Sequence, residues 1–491
     1  MLEEYVIGVD GGGAKTTAIL ADLEGKILAR AKTVSSHPRY LGIKKAVDNA
    51  AFVIEKVLKR VRKNGKISAT FLGLPGIEEE FKSRKELIEK EFLRRKKISR
   101  IFEGKITIGS DQLAGFKSGM DEKDGLALIG GSGSTCHGWR GGREVKIDGW
   151  GYLSETGSAF FIGRRTLQTV FKELDGRAEK TLLTEKILRG LRVKSKEQLI
   201  SLIYSKFPME IVPSLLIYCN AAAEIGEKSA KNILTSAGKE LALSAKTAIK
   251  KLGFTKNKFP LVLVGSMFDS RIISDVVKKE IKKFAPKVNF IRPDVEPAVG
   301  AVKLAVDAAM DEIIKELKKG KVIVCPTDTV YGLIAAATNK KAVDKIFKIK
   351  KRSKTTPLPI FVNNLDAASK LAIIGENQDK FLKKVWPGKT TVVLKRKRKT
   401  ELYGVDSGTI ALRIPKYKLI NNLLAKAKFP LTGTSANVSG KRATTEIGEV
   451  LRQFQNKKFQ PDLIINAGNL KPAKPSIVVD LSGSAPKILR K

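Results

Sequence analysis

Apolar positions along this chain come in short blocks, each closed by glycine, proline or an acid. "YVIGVD" (5–10), "TTAIL" (16–20), "ITIGSD" (106–111), "LALIGG" (126–131), "PLVLVG" (260–265) and "VIVCP" (322–326) all follow that plan, which is the pattern of buried strands in an α/β protein. From Glu296 onward the pattern changes. "EPAVGAVKLAVDAAM" runs into "DEIIKELKKGK" with a helical repeat that ends at Gly320, a natural helix stop. The strand "VIVCP" then starts what reads as a second unit. The boundary is placed near residue 308, with 1–308 as one unit and 309–491 as another. A chain of 491 residues exceeds what one hydrophobic core usually organises, which agrees with that division.

The first unit contains an internal echo. "YVIGVDGGGAKTTAILADLEGK" and "LALIGGSGSTCHGWRGGREV" each read strand, glycine-rich turn, strand, second turn. In a dinucleotide-binding or Walker loop the glycines open a helix. Here they join two strands of a hairpin, so neither of those readings applies. What remains is a pair of loops whose bare N–H groups can cradle phosphate oxygens. Between the echoes lies a strand that ends in Asp111. An acid at such a position can take a proton from a substrate hydroxyl or can merely cap the next helix. Asp10, at the end of the first strand, is placed to hold magnesium through water.

Composition narrows the class. Hydrophobic residues make up 42% of the chain and there is no low-complexity window, which is the profile of a folded protein. The opening "MLEEYVIGVD" lacks the basic start and small-residue cleavage site of a signal peptide, and no apolar run approaches membrane-spanning length. The three cysteines, Cys136, Cys219 and Cys325, are widely spaced with no C-x-x-C pair. They fit a reduced, cytoplasmic setting and argue against a disulfide scaffold or a thiolate zinc site. The net charge of +42 favours anionic ligands such as nucleotides or RNA. Only "KRKRK" (395–399) and "KIKKRSK" (348–354) are dense enough to suggest a specific anion site; the rest reads as solvated helix faces.

The ordered set of Asp10 with Gly11, Gly12 and Gly13, then Asp111, then "GGSGST" (130–135), then "VGS" (264–266) resembles the sugar-kinase/Hsp70/actin superfamily. Within it, the set is similar to the BadF/BadG-type ATPases and N-acetylglucosamine kinases, over about residues 4 to 308. The resemblance implies a two-lobed actin-like ATPase fold, a duplicated ribonuclease-H-like design with lobes at about 1–118 and 119–308. It implies a first phosphate loop at Asp10–Thr16, with Lys15 and Thr16 at the phosphates. Gly131, Ser132, Gly133, Ser134 and Thr135 would form the second loop, Gly265 and Ser266 would flank adenosine, and Asp111 would be the catalytic base. The chemistry would be phosphoryl transfer from ATP with Mg2+. The acceptor region departs from the family. Asp148 stands for a glycine, Glu155 for the family's aspartate, and His37 for an asparagine that helps hold the sugar. The phosphate machinery is therefore intact while the amino-sugar acceptor site is altered, with Glu155 left as its candidate contact.

The second unit carries "PTDTVYGL" (326–333), "KIKKRSKTTPLPIFV" (348–362), "WPGKTTVVL" (386–394), "TIALRIP" (409–415), "TGTSANVSG" (432–440) and "PSIVVDLSGSAPKILR" (475–490). These are strand ends bearing small hydroxyl residues and lone arginines, a set that suits a polar zwitterion beside a phosphate. No histidine lies in this unit and Cys325 reads as a core residue, so catalysis rests on positioning and electrostatics. The order and spacing of the blocks resemble the YrdC-type threonylcarbamoyl-AMP synthases, over nearly all of 310–491. The resemblance implies a YrdC-type α/β twisted-sheet domain that makes threonylcarbamoyl-AMP and pyrophosphate from L-threonine, bicarbonate and ATP, the first step of the tRNA t6A modification. Carried over residue by residue, Thr329, Arg413, Gly433 and Ser476 would surround threonine. Arg352, Thr356, Thr409, Ser435, Ala443 and Arg490 would line ATP, Lys350 would help neutralise its phosphates, and Asn437 would fix the loop presenting Ser435. Arg352, Lys350 and magnesium would offset charge on the departing pyrophosphate. Ser353, Lys389-Thr390, Ile477 and Phe361 depart from the family without removing a cation.

A metal-dependent transferase of this superfamily needs an H-x-x-x-H helix. The two histidines, His37 and His137, are a hundred residues apart, which argues against it. Three readings stay open: a bifunctional synthase and small-molecule kinase, a synthase carrying a non-catalytic ATP-binding module, and a regulatory protein that binds tRNA or other RNA. Other proteins of the t6A pathway are candidate partners in the first two, and no reading calls for a membrane.

Overall fold

The computed structural model describes residues 3–61, 65–77, 82–95, 98, 102–205, 208–397, 399–483 and 485–490. Five strands form the first sheet: β1 (Glu3–Gly11), β2 (Lys15–Asp22), β3 (Ile27–Val34), β4 (Gly65–Leu74) and β5 (Phe102–Ser110), in the order β3-β2-β1-β4-β5. The second holds β6 (Gly125–Gly130), β7 (Ser134–Arg140), β8 (Arg143–Asp148), β9 (Phe259–Val264) and β10 (Val288–Ile291), in the order β10-β9-β6-β7-β8. Read from its meander edge, the second order repeats the first. In each sheet three strands pair antiparallel and two more add in parallel on the far side. The echo seen in the sequence is thus a duplicated sheet, and the expected two-lobed α/β architecture is what forms. Glycine-rich turns between β1 and β2, and between β6 and β7, are too short for a helix, so the chain reverses as a hairpin.

Parallel additions need crossovers. The helix Pro38–Leu58 carries β3 to β4, and its buried stripe (Val47, Ala50, Val53, Ile54, Val57) covers one face of the first sheet. The helix Asp111–Gly119 follows β5 between the lobes. Its Ala114 joins the core of the first sheet, and its Phe116 packs with Ala127, Val262 and Val264 of the second. That placement sets Asp111 where the lobes meet.

The remaining strands are β11 (Ile323–Cys325), β12 (Gly332–Ile334), β13 (Ile360–Phe361), β14 (Thr390–Lys395), β15 (Thr409–Arg413), β16 (Leu431–Thr432), β17 (Thr434–Ser435), β18 (Leu463–Ile464), β19 (Ile477–Asp480) and β20 (Lys487–Arg490). They build a sheet ordered β17-β12-β11-β18 and another ordered β16-β13-β15-β14-β19-β20. Strands this short leave many strand ends, and it is those ends that carry the hydroxyls.

One helix, Pro297–Lys318, runs unbroken through residues 308 and 309. Ala298, Ala301, Val302 and Ala305 share a core with Val6, Ile19 and Phe71 of the first sheet, and the same core continues through Met310, Ile313, Ile314 and Leu317 to Ile323, Leu419, Ile420 and Leu423. Burying such aliphatic side chains is worth about 1.5–3 kcal/mol each, so the two halves are joined by a core and not by a loose tether. Lys426 reinforces the junction, with Nζ 2.8 Å from the Asp307 carbonyl and 2.9 Å from Asp311 Oδ1. Among the described residues no single helix is long and apolar enough to cross a membrane.

Candidate active sites

In the C-terminal domain a cavity of about 510 Å³ is lined by Thr329, Arg352, Thr356, Thr409, Arg413, Gly433, Ser435, Ser476 and Arg490, among others. These nine come from six separated stretches of sequence; Arg352 and Thr356 stand in the loop after the helix Lys340–Lys350, and the others lie at or beside strand ends. Arg413, at the end of β15, is buried. It donates to Asp328 Oδ1 at 2.5 Å, Thr329 Oγ1 at 3.3 Å and the Gly388 carbonyl at 2.9 Å. Arg490 closes β20 and donates through Nε and Nη2 to the Ser476 carbonyl at 3.1 and 2.7 Å. Ser476 in turn bonds Thr391 through their hydroxyls at 2.9 Å. Among the described residues the Arg352 side chain keeps one bond, to the Pro357 carbonyl at 2.9 Å, and its Nε is buried with no hydrogen-bond partner.

The electrostatics follow from that crowding. Burial pushes Arg352 below the usual guanidinium range, and Arg490 adds to the push. Arg413 also falls through burial although Asp328 opposes it. Only Arg413 has an internal carboxylate partner among the described contacts, so Arg352 and Arg490 leave a surplus of positive charge that suits a polyanion.

Three expected residues stand elsewhere. Lys350 does not reach the cavity wall: it is buried, and its Nζ donates to the Ser435 carbonyl at 2.6 Å, the Asn437 carbonyl at 2.8 Å and Asn437 Oδ1 at 3.0 Å. With three oxygens already served, its Nζ ties down the Ser435–Asn437 loop from behind the cavity wall. Burial and Arg352 lower its pKa to about 7, and the three acceptors, which match the three N–H groups of an ammonium, work against that fall. Asn437 accepts from Ser435 Oγ at 2.6 Å and so holds the loop as expected, but it and Ala443 lie off the cavity wall. Gly433 is required by packing, since a Cβ there would meet the Phe361 ring at 2.3 Å. The reading missed Thr327, Asp328, Thr391 and Asp406. Asp406 Oδ1 accepts from Gly408 N at 2.8 Å and Thr409 N at 2.9 Å, and the Asp-x-x-Thr spacing was its signal. Of the basic stretches, 348–354 supplies Arg352. In 395–399, Arg396 and Lys397 are spent on the Asp406, Thr400 and Ser369 carbonyls, and Arg398 lies outside the described residues.

In the N-terminal unit a larger cleft, about 880 Å³, brings together Gly13 of the first loop, Ser132 of the second and Ser266 after β9. Gly12 N–H bonds the Lys15 carbonyl at 2.8 Å, and Gly131 N–H bonds the Gly133 carbonyl at 2.9 Å, closing the two turns. Gly265, at φ 104°, sits so near the second loop that a Cβ would lie 2.2 Å from the Gly130 carbonyl. The remaining named loop residues, Gly11, Gly12, Lys15, Gly131, Gly133 and Gly265, build the turns without lining the cleft.

Four expected contacts differ. Thr16 is buried and gives its hydroxyl to the Val34 carbonyl at 2.8 Å and to Ser36 at 2.6 Å. Ser134 and Thr135 are also buried and give theirs to Asp148 at 2.9 Å and the Ile147 carbonyl at 3.2 Å. These hydroxyls secure strands and do not line the cleft. Glu155 is buried, with Oε2 accepting from Ser134 N at 2.9 Å and Oε1 from Gly151 N at 3.0 Å. It braces the second loop in place of contacting an acceptor, and burial raises its pKa against those two bonds. Asp111 is not the helix cap: Ser110 takes that role by accepting from Leu113 N at 3.2 Å. Asp111 Oδ1 accepts from Gln112 N at 3.1 Å and Gln112 Nε2 at 2.9 Å. Burial, with Asp111 and then Glu296 adding negative charge, raises Asp10 to about 7 while Lys15 pulls it down. His37 caps the helix Pro38–Leu58, accepting from Arg39 N at 3.3 Å, and stacks on Tyr40 at 3.9 Å. His137 is buried with Nδ1 3.1 Å from Gln112 Oε1. The apolar part of the cleft, from Tyr40, Leu41, Met209, Leu216 and Ile217, escaped the reading because it lies on helices that carry no motif.

A duplicated, clefted sheet unit with paired glycine loops, joined to a domain whose cavity gathers arginines and hydroxyls, defines a class: a two-domain enzyme that uses ATP. Sequence comparison agrees. Residues 7–305 match the BadF/BadG/BcrA/BcrD ATPase family, to which the chain belongs, and residues 315–491 match the family described as telomere recombination, the YrdC group. Over 310 residues the chain is 30% identical to the N-acetylmuramic acid/N-acetylglucosamine kinase of Clostridium acetobutylicum, covering 62% of this chain and 98% of that protein. Over 178 residues it is 33% identical to the threonylcarbamoyl-AMP synthase of Neisseria meningitidis serogroup A, covering 35% of this chain and 90% of that one. A proposed N-acetylglucosamine kinase structure from Chromobacterium violaceum superposes with a TM-score of 0.50 at 21% identity, over 62% of this chain and 99% of the other; that likeness is one of fold.

Proposed function

We propose that the C-terminal cavity forms threonylcarbamoyl-AMP and pyrophosphate from L-threonine, bicarbonate and ATP, supplying the t6A modification of tRNA. The convergence of Thr329, Arg413 and Ser476 with Arg352, Thr356, Thr409, Ser435 and Arg490 in one hollow carries this reading. Arg413 would take the amino-acid carboxylate, while Arg352 and Arg490 would take phosphate. The threonine amine combines with bicarbonate to give a carbamate and water. A carbamate oxygen then attacks the α-phosphorus, forming the new P–O bond as the bond to the pyrophosphate oxygen breaks. No side chain needs to accept a proton in that displacement, which agrees with a site built from cations and hydroxyls.

The N-terminal cleft, in this proposal, transfers the γ-phosphoryl group of ATP to a hydroxyl of an amino-sugar-like acceptor, with Asp111 as base. Because Glu155 is committed to backbone, the acceptor specificity differs from that of the kinases it resembles. Magnesium would enter with ATP. Among the described residues no cluster of three or more His, Cys, Asp or Glu could hold a bare ion, so the phosphates would supply most of its ligands, with Asp10 beside the first loop. Three free, buried cysteines fit a reducing cytoplasm.

The test is incubation of the chain with ATP, bicarbonate and threonine, read by mass spectrometry and pyrophosphate release. Threonylcarbamoyl-AMP must appear, and its formation must survive Asp111→Asn. Any amino-sugar phosphorylation must collapse in that same variant. Pyrophosphate release that ignores threonine would sink the synthase reading.

A further inference from the structure

We infer that the first lobe of the ATPase unit forms part of the amino-acid site in the other half, with Tyr417 as the positioning residue that links them. This rests on reading the cavity around Arg413 as an amino-acid site. The turn between β2 and β3 is rigid: Asp22 N–H bonds the Lys26 carbonyl at 3.1 Å, and Asp22 Oδ1 accepts from Glu24 N at 3.0 Å and Lys26 N at 2.9 Å. Leu23 in this turn is buried in the core shared with Cys325, Leu419 and Ile420. The turn therefore sits directly against the synthase domain and presents Glu24 to it.

Tyr417 donates its hydroxyl to Glu24 Oε1. One residue earlier, the Lys416 backbone N–H donates to Asp328 Oδ2 at 3.0 Å. The other oxygen of that carboxylate takes Arg413 Nη2 at 2.5 Å, and Arg413 Nη1 reaches Thr329 Oγ1 at 3.3 Å. Both Asp328 oxygens are thus committed, one to the junction and one to the cavity. The Asp328–Arg413 pair is only 8% and 4% exposed at its side chains, while the Lys416–Asp328 and Tyr417–Glu24 links lie at the solvent edge of the junction, so the pair's aim depends on the geometry those links hold. A shift of Tyr417 turns the Lys416 N–H, and with it the plane of the carboxylate that aims Arg413. The Tyr417 hydroxyl stays a donor, because burial and the Glu24 carboxylate push its pKa well above the ordinary tyrosine range.

The experiment uses the full chain and three variants. Tyr417→Phe keeps the ring and removes the donor, Glu24→Ala removes the acceptor, and Glu24→Gln keeps an acceptor oxygen. Threonine-dependent pyrophosphate release should show KM for threonine raised about five- to tenfold in the first two, the size of one ordinary hydrogen bond. KM for ATP and kcat should stay within about twofold, and Glu24→Gln should restore the threonine KM. Amide hydrogen exchange without ligands supplies the second readout, with faster exchange in 328–330 and 414–417 of Tyr417→Phe. An unchanged threonine KM, or equal losses for threonine and ATP, overturns the proposal. If the unmodified chain shows no dependence on threonine, the amino-acid reading falls. The exchange pattern then decides the link alone: faster exchange in those two segments supports it and no change overturns it.

Discussion

The two nucleotide sites solve the same problem with different parts. In the N-terminal cleft, phosphate would meet backbone: the hydroxyls of Thr16, Ser134 and Thr135 are spent on strands, and the glycine turns, whose Gly12 and Gly131 N–H groups close the turns themselves, are left to offer their other N–H groups. In the C-terminal cavity the ligand would meet side chains, with three arginines and five hydroxyl residues of the expected set on one wall. A backbone site is fixed by chain path, so it tolerates change in side chains and fails when the path is blocked. A side-chain site tolerates small shifts of path and fails when one charged group is removed.

Arg413→Ala should give the largest effect. It leaves the Asp328 carboxylate buried without its guanidinium, a loss of about 3–5 kcal/mol for a broken buried pair. Threonylcarbamoyl-AMP formation should disappear and the thermal transition of the chain should drop. Arg413→Lys would restore charge without the fork that serves Asp328, Thr329 and Gly388 together, and it should recover stability more than activity. Equal recovery of both would break the contrast. In the other half the counterpart is Gly265→Val. A Cβ 2.2 Å from the Gly130 carbonyl, at φ 104°, requires the second phosphate loop to move, at a cost of about 3 kcal/mol. ATP binding to the N-terminal cleft, followed by calorimetry, should be lost while threonine-dependent pyrophosphate release persists.

The same contrast governs what could be read before the structure. Glycine turns announce chain reversal, so the duplicated sheets and their paired loops were legible from two short stretches. The fate of a hydroxyl inside such a loop was not. Thr16 and Thr135 sit on strands covered on both faces, with consecutive residues buried from Thr16 to Ala21 and from Ser134 to Gly138, so a hydroxyl there is enclosed whichever face alternation gives it. Nine of the cavity residues were legible because each block carries its own signature. Lys350 misled for a physical reason: a lysine two residues from Arg352 looks like a second phosphate cation, yet the left-handed turn at Lys351 (φ 51°) separates the two side chains and sends Lys350 into the Ser435–Asn437 loop. Unbroken helical patterning around 308 could not show that one helix serves two cores.

Lys350→Met tests the middle of the range. It removes three hydrogen bonds of a buried Nζ while keeping the aliphatic stem, so the loss should come to about 2–3 kcal/mol. If Lys350 pins the loop, KM for ATP rises through a misplaced Ser435, and the salt dependence of ATP binding stays as in the unmodified chain. A phosphate-contacting lysine would instead flatten that salt dependence.

The smallest effect belongs to Asp10. Its carboxyl is raised to about 7 by burial and by Asp111 and Glu296, against an unfolded value near 4. The folded chain therefore holds a proton that the unfolded chain releases. Stability from this group is complete below about pH 4, declines as pH rises, and is gone above about pH 7. Asp10→Asn does not titrate, so its advantage in thermal stability should grow between those limits and then level off, at about 1–2 kcal/mol once solvent screening of a half-buried group is allowed for. Magnesium and ATP should shrink the slope, since positive charge near the first loop favours the carboxylate. The arginine-lined cavity offers no matching trend, because its guanidiniums stay charged throughout that range. A pH slope that ignores nucleotide would therefore show that Asp10 takes no part in the phosphate site, and would leave the N-terminal cleft with backbone alone.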